Sequence, residues 1–318
     1  MCGISGIVAD GDQQKNIEAM CRMLVHRGPE NTSIYRYENV WLGHNRLRII
    51  DIETGDQPIF NEDGSVGVVF NGEIYNFMEI KADLEEKGHT FKTTSDTEIL
   101  VHLYEEKGIE MFDKLNGIFA FAILDKNRNR IILARDHFGV KPLFYYERGG
   151  KLVFGSEAKA ILTHPDVPRK RNDHATHLLA NLRYVQSEQT LFKDIHHVPP
   201  GSYLVHENGK SKVSRYYEFN PEVQDISFED AKDGIQARLK EAVRRQLISD
   251  VPIGVYLSGG IDSSSLVAMM SELGVDDIRT FTLGFNEPTD EFDSAKMIAD
   301  QFSTNHQTLS LDLDPMKH

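Results

Sequence analysis

The strongest constraint on this chain is a change of rhythm near residue 220. Before it, short runs rich in valine, isoleucine, tyrosine and phenylalanine recur between turn residues: ISGIVA from Ile4, VWLGHNRLRII from Val40, SVGVVFNGEIY from Ser65, IFAFAILD from Ile118, RIILARD from Arg130, PLFYY from Pro142, KLVFGS from Lys151 and GSYLV from Gly201. Runs of this length and composition predict a multi-stranded, largely antiparallel α+β unit. Helices are expected at Asn16 to Val25, where Ile17, Met20, Cys21, Leu24 and Val25 fall at helical spacing, and at Phe77 to Lys87. Beyond PEVQDIS, Ser227 and Asp230 open a helix in which Ala231, Ile235, Leu239, Val243 and Leu247 recur every four residues. A buried strand VPIGVYLSGG, the helical SSSLVAMMSEL, the strand IRTFTLGF, a helix near Asp293 to Phe302 and a strand HQTLSL follow. That alternation predicts an α/β unit with a parallel sheet. The expected organisation is a domain over 1–218, a linker over 219–226 and a second domain over 227–318.

At 318 residues the chain has room for two domains of ordinary size. A net charge of -14 argues against a nucleic-acid surface, which needs clustered Lys and Arg, but leaves room for a local nucleotide site. No apolar run approaches the ~20 residues that span a bilayer, and the start lacks the basic and apolar regions of a secretory signal, so no membrane partner and a cytoplasmic location are expected. Two cysteines without ligand spacing give neither a disulfide framework nor a zinc site. His174, His177, His196 and His197 lack partner ligands, so no metal is expected at them.

Cys21 lies on an apolar helical face and is expected in the core. Cys2 belongs to no such face. Removal of Met1 would give one residue a thiol and a free α-amine, whose ordinary pKa values of about 8.5 and about 7.7–8.0 let the amine take the thiol proton. That pairing suits acyl transfer from an amide: thiolate attack, a tetrahedral oxyanion, loss of ammonia and hydrolysis of a thioester. A lone Met-Cys is more often an incidental strand start, and its company is what changes the balance. Asn71 and Gly72 offer a side-chain amide and an unhindered backbone N–H for an oxyanion, Arg46 a two-pronged carboxylate clamp and Asp96 a partner for an α-ammonium. Each alone is bland, since Asn-Gly is usually a hairpin turn and a loop Arg or Asp is usually solvated.

Together with HRGPE at His26 to Glu30 and RDHFGVKPLFY at Arg135 to Tyr145, these stretches resemble the glutaminase domain of the N-terminal-nucleophile amidotransferases over essentially residues 2–217. The resemblance implies an αββα sandwich, with Cys2 as nucleophile and Asn71 and Gly72 as oxyanion hole. It also implies glutamine binding by Arg46, Leu47, Ile49, Ile50, Glu73 and Asp96.

LSGGIDSSS, Leu257 to Ser265, follows a strand and opens a helix, where backbone N–H groups and hydroxyls can surround an anion. It is neither the Walker pattern nor the dinucleotide fingerprint. Ser258, Gly259, Gly260, Asp262 and Ser263 resemble the pyrophosphate loop of ATP pyrophosphatases, and a glutaminase followed by that loop is similar to glutamine-hydrolysing asparagine synthetases. The family implies glutamine, ATP with Mg²⁺ and aspartate as small-molecule substrates, with no tightly bound cofactor. It further implies adenine-nucleotide contacts at Leu257 and Leu283 and a homodimer in the full-length protein; Asp262 is a candidate Mg²⁺ ligand, or simply a helix-opening aspartate that favours the dipole. Only 53 residues follow Ser265, so an incomplete sheet, a partial sequence and loss of asparagine synthesis are expected. Two alternatives stay open: an amidotransferase of the same family with another carboxylate acceptor, and a glutamine-binding regulatory module without turnover.

Overall fold

A computed structural model of the chain describes residues 1–186, 188–223 and 225–312. The chain falls into two compact units, Met1–Pro221 and Glu222–His318.

The first unit runs β1 (Gly3–Val8), α1 (Gln14–Leu24), β2 (Asn31–Tyr37), β3 (Val40–Arg46), β4 (Ile59–Phe60), β5 (Val66–Ile74), α2 (Phe77–Glu86), α3 (Ile99–Lys107), β6 (Gly117–Asp125) and β7 (Arg130–Arg135). It continues with β8 (Phe144–Arg148), β9 (Lys151–Gly155), α4 (Ala158–Ile161), α5 (Asp173–Leu182), β10 (Ile195–His197), β11 (Ser202–Glu207) and β12 (Lys210–Arg215). The strands form two six-stranded antiparallel sheets, ordered β10-β8-β9-β1-β3-β2 and β12-β11-β7-β6-β5-β4. Alternation along each strand sorts side chains into layers. Ile4, Val8, Val40 and Leu42 of the first sheet pack on Val69, Ala122, Leu133 and Leu204 of the second, so the two sheets share a core. Their neighbours Ile7 and Trp41 face the other way, against Ile17, Met20, Cys21 and Leu24 of α1. Cys21 is thus a core residue, and a Cβ at Gly43 would stand 2.5 Å from its Sγ, which is why α1 can lie so close to β3. With α2 packed on α3 and α3 on β5, the layers read helix, sheet, sheet, helix, the αββα sandwich expected.

The second unit runs α6 (Phe228–Gln246), β13 (Gly254–Tyr256), α7 (Ile261–Glu272), β14 (Arg279–Gly284), α8 (Phe292–Gln301) and β15 (Asn305–Ser310), with the three strands parallel in chain order. The Ser227 side chain caps α6 by accepting from the Asp230 N–H at 3.1 Å. Two details differ from the sequence expectation. The buried strand of VPIGVYLSGG is only three residues long and Tyr256 is 77% exposed; Ile235, in the four-residue series of α6, is 67% exposed. The cause is one-sided packing: Val243, Leu257, Val267, Met270 and Ala295 form a core on one face, with Leu239 and Leu247 against it. Nothing described in this unit covers the side that carries Tyr256, nor the early turns of α6. No described helix is long and apolar enough to cross a membrane.

Candidate active site

The first unit brings its strand ends to one cleft of about 470 Å³ that is open to solvent, and all nine residues singled out there, Cys2 to Asp96, line it. Cys2 precedes β1, which pairs with β3, so that Gly3 lies opposite Asn45 and Arg46 ends its strand beside Cys2. Asn71, Gly72 and Glu73 sit in β5, opposite Ala120, Phe119 and Ile118 of β6.

The Cys2 thiol is bracketed by the Leu47 backbone, accepting from its N–H at 3.4 Å and donating to its carbonyl at 3.6 Å. Burial pushes this thiol above its ordinary value, although the Leu47 hydrogen bond and the terminal amine pull the other way. Met1 also lines the cleft, and burial depresses its amine. Arg27 donates from Nε to the Cys2 carbonyl at 3.0 Å and from Nη1 to Glu157 at 3.0 Å, which fixes the backbone of the terminal residues.

Asn71 is 1% exposed, yet neither its carboxamide oxygen nor its nitrogen makes a hydrogen bond. A buried amide left without partners carries a desolvation cost of about 1–3 kcal/mol, so a native site that keeps one is holding it for something else. Beside it, a Cβ at Gly72 would run into the Ile118 carbonyl oxygen and stand 2.7 Å from Phe119 Cα. Only glycine fits between β5 and β6 at that point.

Arg46 is 3% exposed and its guanidinium is already engaged: Nη1 donates to Asp56 at 2.5 Å and Nη2 to the Asp51 carbonyl and, at 3.4 Å, the Ile50 carbonyl. Gly55 makes room for it, since a Cβ there would meet the guanidinium. Asp96 is 4% exposed; its Oδ2 accepts from the Ile74 N–H at 2.9 Å, and Ser95 and Thr97 donate to Oδ1 at 3.4 Å each. Burial raises the Asp96 carboxyl above the usual range against those hydrogen bonds. Burial also raises Glu73, and the neighbouring Asp96 charge adds to the effect. Two carboxyl groups short of positive charge face the cleft, with Lys141 the nearby cation, its own pKa lowered by burial.

In the second unit a cleft of about 840 Å³ opens beyond the carboxyl ends of β13 and β14, lined by Leu257, Ser258 and Leu283 among others. This end of a parallel sheet is where α/β folds bind ligands. The following loop is tied by hydroxyls: Ser258 N–H donates to Ser263 Oγ at 3.1 Å, Gly260 N–H to Ser258 Oγ at 3.2 Å and Ser264 Oγ to the Gly260 carbonyl at 2.8 Å. A Cβ at Gly259 would run into Ser294 of α8. Asp262 is exposed in the first turn of α7.

Residues 1–217 match the family model of the glutamine amidotransferase domain. The chain belongs to that family. Residues 234–316 of this amidotransferase chain match a second model, asparagine synthase. It is similar to asparagine synthetase [glutamine-hydrolyzing] 3 of Bacillus subtilis (strain 168), 34% identical over 328 residues that cover 96% of this chain and 53% of that protein. A putative asparagine synthetase [glutamine-hydrolyzing] 2 of Methanocaldococcus jannaschii is 34% identical over 334 residues, covering 96% and 64%. The amidase chry2 of Gibberella zeae is 35% identical over 294 residues, covering 86% and 43%. The chain spans about half the length of the curated relatives it matches, between 43% and 64% for these three. Among solved structures, glutamine phosphoribosylpyrophosphate amidotransferase from B. subtilis aligns with TM-score 0.50 at 19% identity, covering 96% of this chain and 65% of that one, a likeness of fold.

Some residues of the amidotransferase cleft carry no motif of their own in the sequence. Gln57 is buried, donates to Thr97 Oγ1 at 3.3 Å and accepts from the Phe70 N–H at 2.6 Å, so it ties the Asp96 loop to β5. Lys141 had a signal: it lies in RDHFGVKPLFY, where Asp136 accepts from the N–H groups of Phe138, Val140 and Lys141 at 3.1, 2.9 and 3.0 Å. Arg135 grips the Lys141 carbonyl at 2.8 Å and the Gly139 carbonyl at 2.6 Å. The Arg-Asp pair folds that loop so that Lys141 reaches the cleft.

Proposed function

We propose that the first unit hydrolyses glutamine to glutamate and ammonia, with Cys2 as an N-terminal nucleophile. The observation that carries this reading is the buried, unpartnered Asn71 carboxamide in the cleft that Cys2 lines. Met1 must leave first, so that the α-amine belongs to Cys2. The raised thiol stays protonated until that amine takes its proton as attack begins on the glutamine side-chain carbonyl. Asn71 Nδ2 and the Gly72 N–H receive the oxyanion, which gives the orphaned amide its missing acceptor only as the tetrahedral centre forms. The ammonium formed at the Cys2 terminus returns its proton to the departing amine; water then cleaves the thioester and restores the thiol. Glu73 and Asp96 take the substrate α-ammonium, and Arg46 its carboxylate in place of Asp56, whose side chain is 43% exposed and stays anchored by Asn31 Nδ2 at 2.9 Å. Glutamate release by the purified chain without ATP, beside a Cys2→Ala variant and with Met1 removal read from intact mass, tests this. Absence of release from a folded protein that has lost Met1 refutes it.

The second unit is proposed to bind ATP, with phosphates at Ser258 to Ser263 and the nucleoside near Leu257 and Leu283. The exposed Asp262 carboxylate fits as one oxygen ligand of an ATP-bound Mg²⁺, which would offset the charge of a pyrophosphate leaving group. Aspartate is the proposed acceptor, adenylated on its side chain and converted to asparagine by the ammonia; the asparagine synthase match and the relatives so named support it. A different carboxylate acceptor is the second reading, favoured by the similarity to a relative named an amidase. Pyrophosphate release on adding ATP, ammonia and either aspartate or other carboxylates separates the two.

A further inference from the structure

Away from the residues of the cleft, three separate stretches of the first unit converge. The turn after β4 supplies Glu62, the stretch after α2 supplies His89, and α3 supplies His102 and Glu105, three residues apart on one face. One ligand atom from each lies within 4.8 Å of all the others. His102 is completely buried, and neither of its ring nitrogens makes a hydrogen bond. Its Nδ1 nonetheless points among carboxylates, 3.1 Å from Glu62 Oε2 and 3.6 Å from Glu105 Oε2, while His89 Nδ1 stands 3.3 Å from Glu62 Oε1. His89 and Glu62 hydrogen-bond to each other at that distance, but the buried His102 nitrogens are left unsatisfied, and the four groups converge on a common centre.

The spacing fits a small dication. Ligands held at about 2.0–2.1 Å in a tetrahedron stand about 3.3 Å from each other. The two separations from His102 Nδ1, 3.1 and 3.6 Å, straddle that figure, and His89 stands 3.3 Å from the other oxygen of Glu62. The donor set, two imidazole nitrogens and two carboxylates, suits a borderline ion of the zinc type and not Ca²⁺ or Mg²⁺, which prefer oxygen alone. Two carboxylates and two neutral imidazoles also carry two negative charges, which a divalent ion cancels. The outer shell is equally suited. His102 Nε2 lies 3.6 Å from the fully buried Glu98, whose carboxylate accepts from the Lys92 and Thr93 N–H groups at 2.8 and 2.6 Å. Asn61 Nδ2 donates to Glu105 at 2.8 Å and the Thr90 N–H to Glu62 at 2.9 Å. Carboxylates and amides placed in this way orient first-shell ligands in metal sites.

We propose that Glu62, His89, His102 and Glu105 bind one divalent transition-metal ion of the zinc type. The ion pins the turn after β4 and the stretch after α2 to α3. Through His102 and Glu98 it braces residues 92–98, the loop that presents Asp96 to the cleft, so its role is positioning. No single sequence window contains this site, because the ligands come from positions 62, 89, 102 and 105.

The test uses the full chain with Cys2→Ala, which removes the cleft thiol as a competing zinc ligand. Chelator-treated protein is titrated with Zn²⁺ by calorimetry, and separately loaded with Co²⁺ for its visible spectrum. The expected result is one ion per chain with micromolar or tighter affinity, a higher melting temperature with Zn²⁺, and the d–d bands of four-coordinate Co²⁺ without a thiolate charge-transfer band. His89→Gln and Glu62→Gln, both at partly exposed positions, should each weaken Zn²⁺ binding at least tenfold. Two binding results overturn the proposal: absence of one-to-one binding, or an affinity unchanged in both variants. The Co²⁺ spectrum of the parent chain stands independently of either variant's folding; a six-coordinate spectrum also refutes the site.

Discussion

Replacing Asn71 by alanine separates an amide kept for chemistry from one kept for the fold. Truncating an ordinary buried side chain costs about 2–5 kcal/mol through lost transfer energy and a cavity. Asn71 is 1% exposed, but its oxygen and nitrogen are both unbonded, so the truncation also removes two groups that each cost about 1–3 kcal/mol to bury unsatisfied. The two effects offset each other. Stability should therefore change by no more than about 1–2 kcal/mol, which for a unit of this size moves the melting temperature by less than about 8 °C. Catalysis should suffer far more: loss of one oxyanion donor costs about 10²–10³ in kcat, or roughly 2.7–4 kcal/mol of transition-state stabilisation, with KM nearly unchanged. Steady-state glutaminase kinetics beside thermal unfolding read both numbers. A variant with kcat within threefold of the parent and a large loss of stability would refute the reasoning and make Asn71 a structural residue.

Glutamine binding should weaken as pH falls through the raised range of the Glu73 and Asp96 pair, because the α-ammonium needs them ionised; KM measured against pH checks this, and a flat profile contradicts it. The same raised values run the other way for stability. A carboxyl whose folded pKa lies above its unfolded one favours the fold at low pH and loses that contribution as pH rises through the folded value. Glu73→Gln should accordingly melt increasingly above the parent as pH rises, while binding glutamine more weakly. Protein that retains Met1, separated by mass, should release no glutamate, since its amine is one residue away from the thiol it must serve. Gly259→Ala should lower the melting temperature of the second unit and abolish nucleotide-dependent stabilisation, because the new Cβ collides with Ser294.

Much of this protein is legible in the residues, for reasons that differ from element to element. α1 was readable because Ile17, Met20, Cys21 and Leu24 repeat at helical spacing and are all buried. Asn71 and Gly72 were readable as a pair, though the sequence suggested a turn as their plain alternative; the fold uses them in the middle of β5, with glycine demanded by contact with β6. Strand β13 was read as too long and too buried, since apolar content does not report what covers the second face. Arg46 was recognisable as a cation for a carboxylate, whereas its present partner Asp56 was not, because nine residues of irregular backbone separate them. The convergence of Glu62 with His102 depends on loop closure, about which local periodicity is silent.

Cys2 stands at the head of β1, and β1 is an inner strand held between β3 and β9. A chain terminus at such a place is usually stitched on at an edge, where added residues can trail into solvent. Here any extension must thread out past the cleft and would also cap the amine. On the proposed chemistry the consequence is practical: a partner or tag fused ahead of Cys2 blocks glutamine hydrolysis until a protease frees the cysteine's amine. The same logic tells an engineer where to place a tag.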